Sequence, residues 1–319
     1  MKKKISIIVG GSGQLGICLS KQLLKKNYKV LITTRNISLT KKKFYNINKN
    51  IKYLKLDVLK IKEVKSLIKS IKPNIIFYFA GQSSPALSFK KNKDTYLSNF
   101  QGCENFLNGI NEINPSIKFV NASSSEIFAD TKKKIKLSSK KKPISPYGKA
   151  KLKSFNTTKH FREKKKLKTY NAIIFNTESY FRNKTYLIPK ICIAAINAKK
   201  FNRKTAFGNL NISREWNWGD EQMTYLIKFI KKKPQDFILS NGHYYSAKKM
   251  MEFAFKHFGL NYKDYIKINK NFIRPKDFLI KKSKFQDCLN RNNITRVSKT
   301  YGKKIIQLLI RFYLNEKEI

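Results

Sequence analysis

Residues 5–19 read ISIIVGGSGQLGICL. A short apolar run breaks into a glycine-rich turn and then into an amphipathic pattern. That order predicts a buried strand at Ile5–Val9, a tight loop, and a helix from Gln14 to Lys26. Gly10, Gly13 and Gly16 stand three apart, and Gly11, Gly13 and Gly16 also satisfy GxGxxG. A strand, this turn and a helix in succession let the backbone approach a diphosphate at the helix N-terminus, the arrangement that binds a dinucleotide. Without a ligand, the same glycines make only a tight turn.

Outward from that stretch, short apolar runs alternate with helical patterns. Strands are expected at 30–34, 51–56, 75–79, 118–122 and 172–175. Helices are expected at 61–71, where apolar residues fall at 61, 64, 67, 68 and 71, and at 99–111 and 147–162. Strands apolar on both faces and separated by helices imply a parallel sheet covered on each side. The fold class is therefore α/β, with a doubly wound parallel-sheet Rossmann domain over residues 1–175. Beyond Asn176 the rhythm weakens. A helix is expected over 188–199, the stretch FGNLNISREWNWGD reads as loop, and a late strand near 237–242 is expected to rejoin the sheet. Residues 176–319 then form a smaller, discontinuous C-terminal domain suited to binding a substrate.

At 319 residues, 41% apolar and 13% aromatic, the chain has enough material for a large core. Its formal net charge is +50, with 60 lysines and nine arginines. The lysines are spread along the whole chain, and runs at 41–43, 132–134 and 231–233 fall between apolar segments. A solvated lysine coat is the simpler account; a nucleic-acid or other polyanion partner is the rival. Cys18, Cys103, Cys192 and Cys288 are scattered without a CxxC pair, which suits a reduced compartment. The apolar run after the basic start is five residues long, too short for a secretory signal, and no stretch approaches a membrane span. A soluble, cytoplasmic protein is expected. His160, His243 and His257 are isolated, read as surface residues, and suggest no metal.

Two features bear on chemistry. The second strand ends in Thr33, Thr34 and Arg35, where an enzyme using NAD usually offers an acid. Arg35 suits a ribose 2′-phosphate and favours NADP, or is one more surface cation. Asp57, after the third strand, either caps a turn or contacts adenine. In SPYGKAK, Tyr147 and Lys151 are four apart on one helical face. A lysine ammonium beside the phenol, helped by a nicotinamide, favours tyrosinate, so Tyr147 can act as a base near neutral pH. The fifth strand closes on NASSSEIF (121–128), and strand carboxyl ends face the ligand crevice of such sheets. Ser124, Ser125 and Glu126 are thus expected at the same site as Tyr147.

With these residues in view, the sequence resembles the GDP-mannose 4,6-dehydratase family of extended short-chain dehydrogenases/reductases over nearly its whole length. GGSGQLGICL, FAGQSSPALSF (79–89), SSSE (123–126), FNTES (175–179), FGNLNISREW (207–216) and RPKD (274–277) resemble the family's segments. The resemblance implies a catalytic set of Ser124, Glu126, Tyr147 and Lys151. It implies an NADP site at Gly10, Gly13, Gly16, Arg35, Asp57, Tyr147 and Lys151, and sugar-nucleotide contacts from Ser84, Ser125, Asn176, Lys190, Arg214 and Arg274. Both arginines suit bidentate phosphate binding. Departures are Leu15 for aspartate, Asn36 for a basic residue, Ser124 for threonine, Thr177 for histidine and Pro189 for arginine.

The resemblance implies dehydration of GDP-mannose by internal hydride transfer through NADP, with a homodimer or homotetramer as the assembly. A reductase or epimerase on this fold needs Tyr147 and Lys151 but no elimination base, so Glu126 favours dehydration. A silent Rossmann protein that binds RNA through its lysines is the reading from another class.

Overall fold

The computed structural model describes residues 3–44, 51–129, 131–273 and 277–315. The chain divides into two compact units. The larger comprises Met1–Ala129, Leu137–Ile174 and Gln222–Leu239; the smaller comprises Asp130–Lys136, Phe175–Glu221 and Ser240–Ile319. The sequence pattern places a boundary at 175/176 and returns a late strand near 237–242 to the sheet. The segment that belongs to the larger unit is 222–239, and 130–136 belongs to the smaller one.

In the larger unit, strands β1 (Ile5–Val9), β2 (Lys29–Thr34), β3 (Lys52–Lys55), β4 (Ile75–Tyr78), β5 (Lys118–Ser124) and β6 (Thr169–Ile174) are joined by the strand Asp236–Leu239. The seven lie in the order Asp236–Leu239, β6, β5, β4, β1, β2, β3, and every neighbouring pair is parallel. The connecting helices are α1 (Gln14–Leu24), α2 (Ile37–Phe44), α3 (Ile61–Ile71), α4 (Pro85–Lys90), α5 (Asn92–Tyr96), α6 (Gly102–Ile113) and α7 (Pro146–Glu163). Ile7, Val9, Leu31, Ile76 and Phe119 of the sheet pack with Val64 and Ile68 of α3 and with Phe106 and Ile110 of α6 in one buried cluster. Burial of each such side chain contributes roughly 1.5–3 kcal/mol before the entropy of ordering it.

The late strand carries its own register device. Asn121, Asn171 and Asp236 are cross-strand partners. Asn121 Nδ2 donates to Asn171 Oδ1 and Asn171 Nδ2 to Asp236 Oδ1, each at 3.0 Å, and Arg162 pairs with Asp236 at 2.7 Å. A slip of one residue turns side chains to the other face, so it breaks this ladder.

One helix differs from the sequence pattern. The stretch expected as a single helix over 99–111 is a π turn, Leu97–Gln101, running into α6. The buried Tyr78 hydroxyl donates to Ser98 O at 2.7 Å. It occupies the space that a side chain at Gly102 would need. A hydroxyl inserted into the helical ladder widens that turn.

In the smaller unit, helix α8 (Leu187–Phe201) packs with helices Ala247–Lys256 and Lys303–Asn315 through Ile188, Ile191, Met250, Phe255, Ile306 and Leu309. FGNLNISREWNWGD is not the loop its composition suggests. Thr205–Phe207 pairs with Ile266–Ile268, and Ser213–Arg214 lies between Tyr245–Ser246 and Ile280–Lys281. Asn217–Trp218 pairs with Thr177–Glu178. Strands of two or three residues are too short to show alternation. His243 also differs from expectation: it is half-buried and stacked on Tyr301 at 3.9 Å. All four cysteines are buried, and none of them is in a disulfide. Among the described residues, no helix is long and apolar enough to cross a membrane.

Candidate active site

The glycine loop separates structural from ligand-facing positions. Gly10 has φ +73°, and a Cβ there would lie 2.5 Å from the Ala80 backbone. A side chain at Gly16 would collide with Gly11, so that glycine lets α1 sit against the loop. Gly13 is exposed, and a Cβ on it would meet nothing nearer than Gly10 O at 3.7 Å. The fold itself places no side-chain limit on Gly13. It is also the N-cap of α1, and no side chain of its own caps the helix there. An uncapped helix N-terminus approached over a bare backbone suits a diphosphate, so these residues fit a dinucleotide.

At the end of β2, Arg35 is exposed and has no carboxylate partner among the described residues. Asn36 caps α2, accepting the Leu39 N–H at 2.9 Å. Asp57 is engaged as a turn cap, its Oδ1 accepting the Leu59 N–H at 3.0 Å. Ser84 is the N-cap of α4 and accepts the Leu87 N–H at 3.2 Å. Local backbone requirements therefore account for both Asp57 and Ser84.

Strand β5 runs two residues past the predicted end, so Ser124 is its last residue. A single 3-10 turn, Ser125–Ile127, follows it. Ser124 Oγ accepts the Glu126 N–H at 3.2 Å. Ser125, Ile127 and Phe128 are buried and lock the turn, whereas Glu126 is half-buried. Helix α7 starts with Ser145 as N-cap, accepting the Gly148 N–H at 3.0 Å, and Pro146 at the first helical position. This start places Tyr147 and Lys151 one turn apart. They are 7% and 5% exposed, and Lys151 Nζ lies 5.8 Å from the Tyr147 ring centroid.

Two contacts tie that helix to the turn bearing Glu126. Lys151 Nζ donates to Ala122 O, on β5, at 2.7 Å. A Cβ on Gly148 would come within 2.6 Å of Glu126 O, so the absence of a side chain lets the first turn of α7 rest on the Glu126 backbone. Sequence reasoning assigned Gly148 no role. Its one signal is a glycine in the first turn of an otherwise good helix.

Burial pushes the Lys151 ammonium down to about 8 from its ordinary 10.5. The unfolded chain holds this proton between pH 8 and 10.5 while the native protein has released it, so stability should rise with pH across that window. Lys151→Met should remove up to about 3 kcal/mol of that rise. Urea melts of both proteins at about pH 7.5 and about pH 10 check this; identical pH dependence in the two would contradict it.

In the smaller unit, Asn176 accepts both the backbone N–H and Nδ2 of Asn217 on its carbonyl, at 2.9 and 2.8 Å. Lys190, on α8, places its Nζ 4.8 Å from the Phe207 ring and 4.5 Å from that of Phe272. Arg214, expected at the sugar nucleotide, is held by a buried ion pair. It is 3% exposed, and its Nη2 donates to Asp277 Oδ1 at 2.8 Å and to Phe278 O at 2.7 Å. Arg274 lies outside the described residues.

A family model described as GDP-mannose 4,6 dehydratase matches residues 7–301. GDP-mannose 4,6 dehydratase 1 of Arabidopsis thaliana is 29% identical over 290 residues, which covers 86% of this chain and 80% of that protein. The Homo sapiens GDP-mannose 4,6 dehydratase is 28% identical over 273 residues, covering 81% and 73%. Among solved structures, the fold matches a Thermus thermophilus UDP-glucose 4-epimerase in complex with NAD. The TM-score is 0.85 at 14% identity, over 98% of this chain and 99% of that one. A Bacillus anthracis dTDP-glucose 4,6-dehydratase in complex with NAD matches at a TM-score of 0.84 and 16% identity, over 99% and 98%.

Proposed function

The chain belongs to the GDP-mannose 4,6-dehydratase family, and from that premise we propose that it dehydrates GDP-mannose to GDP-4-keto-6-deoxy-mannose. The observation that carries this reading is the Gly148 contact, which rests the helix bearing Tyr147 and Lys151 on the turn bearing Glu126. A proton-transfer pair and a separate carboxylate are what oxidation followed by elimination requires.

NADP, which the Gly10–Gly16 loop would hold and whose 2′-phosphate Arg35 would meet, would supply a hydride acceptor that later becomes the donor. Tyr147 takes the proton from the sugar O4 as C4 loses its hydride, leaving a ketone at C4. The Lys151 ammonium offsets the negative charge that develops on the phenol oxygen, and Ser124 is assigned as a donor to O4. The ketone acidifies the hydrogen on C5. Glu126 removes that proton, and the C6 hydroxyl leaves as water. Hydride then adds to C6 and a proton to C5, so no net oxidant or reductant is consumed. Ser84, Ser125, Asn176, Lys190, Arg214 and Arg274 are assigned to the sugar nucleotide. A reductase or epimerase has no use for Glu126 as a base, which is why dehydration is preferred.

Mass spectrometry of the purified protein incubated with GDP-mannose should show loss of one water. Recovery of unchanged or isomeric sugar nucleotide would argue against a dehydratase. The loop has its own test. Gly13→Ala should leave the melting temperature nearly unchanged but weaken NADP binding about tenfold or more, because only the ligand needs that space. Gly10→Ala should instead destabilise the fold by roughly 1–3 kcal/mol through its φ and the Ala80 clash. Equal effects of the two on stability would remove the argument for a ligand at Gly13.

A further inference from the structure

The seven parallel strands divide lysine unequally between their two ends. None of the three residues that follow any of these strands is a lysine. Every strand, by contrast, begins on a lysine or has one within the three residues before it. Lys4 precedes β1, Lys29 and Lys52 open β2 and β3, and Lys72 precedes β4. Lys118 opens β5, Lys168 precedes β6, and a lysine run at 231–233 precedes Asp236–Leu239. An even lysine coat would occupy both ends; this one leaves bare the end that carries the glycine loop and Glu126.

Backbone bonds join the strand starts into one row. Lys29 donates its N–H to Lys4 O at 2.9 Å, Lys118 to Asn74 O at 3.1 Å, and Phe119 to Lys168 O at 3.0 Å. The Tyr170 hydroxyl donates to Lys232 O at 2.9 Å. Burial holds the Lys118 ammonium below its ordinary pKa, and the charges of Lys4 and Lys168 lower it further. At the usual spacing of neighbouring strands the row is about 30 Å long. Helix ends broaden it into a face: α1 runs out into Lys25 and Lys26, α7 into a run at 164–166, and helix Gly219–Phe229 into the run at 231–233. Lysines just past a helix also offset its dipole, but that effect ends within the last turn, and Lys4, Lys29, Lys52 and Lys168 stand beyond it.

The acids at this end are already taken: Glu112, Glu163 and Asp236 pair with Lys65, Lys159 and Arg162. Among the described residues, no carboxylate pairs with a lysine of the row. The helices point their C-termini here, so the face offers no free helical N–H groups to grip a single phosphate. No large exposed apolar side chain among the described residues lies in these turns, which leaves no platform for stacking bases and no wedge for a groove. What remains is a broad array of point charges, and an anionic bilayer surface is read by charge density alone. Lys69 and Lys72 also line a surface depression of about 590 Å³ between the last turns of α3 and α6, room for a lipid headgroup.

We propose that the end of the sheet from which its strands start is a docking face for an anionic bilayer, so that the protein rests on the membrane with its glycine loop and Glu126 turn facing away. No residue assigned to the reaction lies on this face.

Two full-length variants of equal net charge test this. The face variant carries Lys→Gln at Lys25, Lys26, Lys72, Lys166, Lys168 and Lys232; the control carries it at Lys199, Lys200, Lys204, Lys248, Lys263 and Lys267 of the smaller unit. Sedimentation is measured with vesicles of phosphatidylglycerol and phosphatidylcholine at about 0.1 M salt, where exposed charges are screened beyond roughly 10 Å. Wild type and control should sediment with these vesicles and not with phosphatidylcholine alone, and the face variant should partition roughly a hundredfold less or weaker still. Equal losses in the two variants would make attachment a matter of net charge and overturn the proposal, as would wild type that stays free of the anionic vesicles. Displacement of wild type by duplex RNA at equal phosphate concentration would assign the face to nucleic acid and overturn the bilayer. Should the face variant fail to fold, acetylation of wild-type lysines decides: on vesicles Lys26, Lys166 and Lys232 should be shielded while Lys200 and Lys263 stay reactive, and uniform or reversed shielding overturns the proposal.

Discussion

Glu126→Gln is expected to abolish formation of the dehydrated sugar while leaving the first oxidation intact. The substitution keeps the side chain's size and its place in the Ser125–Ile127 turn, including the N–H bond to Ser124, but it removes the base. Loss of a positioned general base costs roughly a hundredfold to ten-thousandfold in rate. With elimination blocked, reduced cofactor should accumulate to at most one equivalent per site and show its nicotinamide absorbance. Wild-type enzyme working in deuterated water should place solvent deuterium at C5 of the product. A glutamate that merely capped the strand end would lower activity and stability together. Glu126→Gln turning over at near the wild-type rate would mean that Glu126 is not the elimination base.

Tyr147→Phe should stop the reaction one step earlier. The ring keeps its packing at the start of α7, so the fold should hold, but the group that takes the O4 proton is gone. Product formation should fall by roughly a hundredfold to ten-thousandfold, and adding GDP-mannose should yield no reduced cofactor. The two variants are thus separated by absorbance: Glu126→Gln traps the oxidised sugar, and Tyr147→Phe never makes it. The wild-type rate should also decline as pH rises through about 8, where Lys151 loses its proton. Reduced cofactor appearing in Tyr147→Phe as fast as in Glu126→Gln would reassign the O4 base.

The parallel sheet was legible because its strands are apolar on both faces and its helices keep a sustained period, as Ile61–Ile71 does. The ladder through Asn171 and Asp236 that sets the late strand's register could not be read, since its members are 65 residues apart. The candidate site residues are marked by local pattern: glycines at a strand end, serines closing β5 with a glutamate in the turn after it, and a tyrosine and lysine at helical spacing. Gly148 carried no such pattern, because its reason is the approach of Glu126 O from another element. Arg214 was legible only in part for a related reason. A scarce arginine in a sugar-nucleotide motif reads as a phosphate contact, and its buried ion pair with Asp277, 63 residues away, leaves no mark in that motif. Spacing along the chain records which residues share a face, and it does not record which charges are already paired.

The central claim is that hydride leaves C4 and returns to C6 of the same sugar, with Glu126 opening the path between the two. GDP-mannose carrying deuterium at C4, incubated with the enzyme and a catalytic amount of NADP, tests this directly. The account expects a product that has lost one water and carries the label at C6, with the cofactor unchanged at the end. A label retained at C4 or lost to solvent, or a demand for one reduced cofactor per turnover, would contradict it.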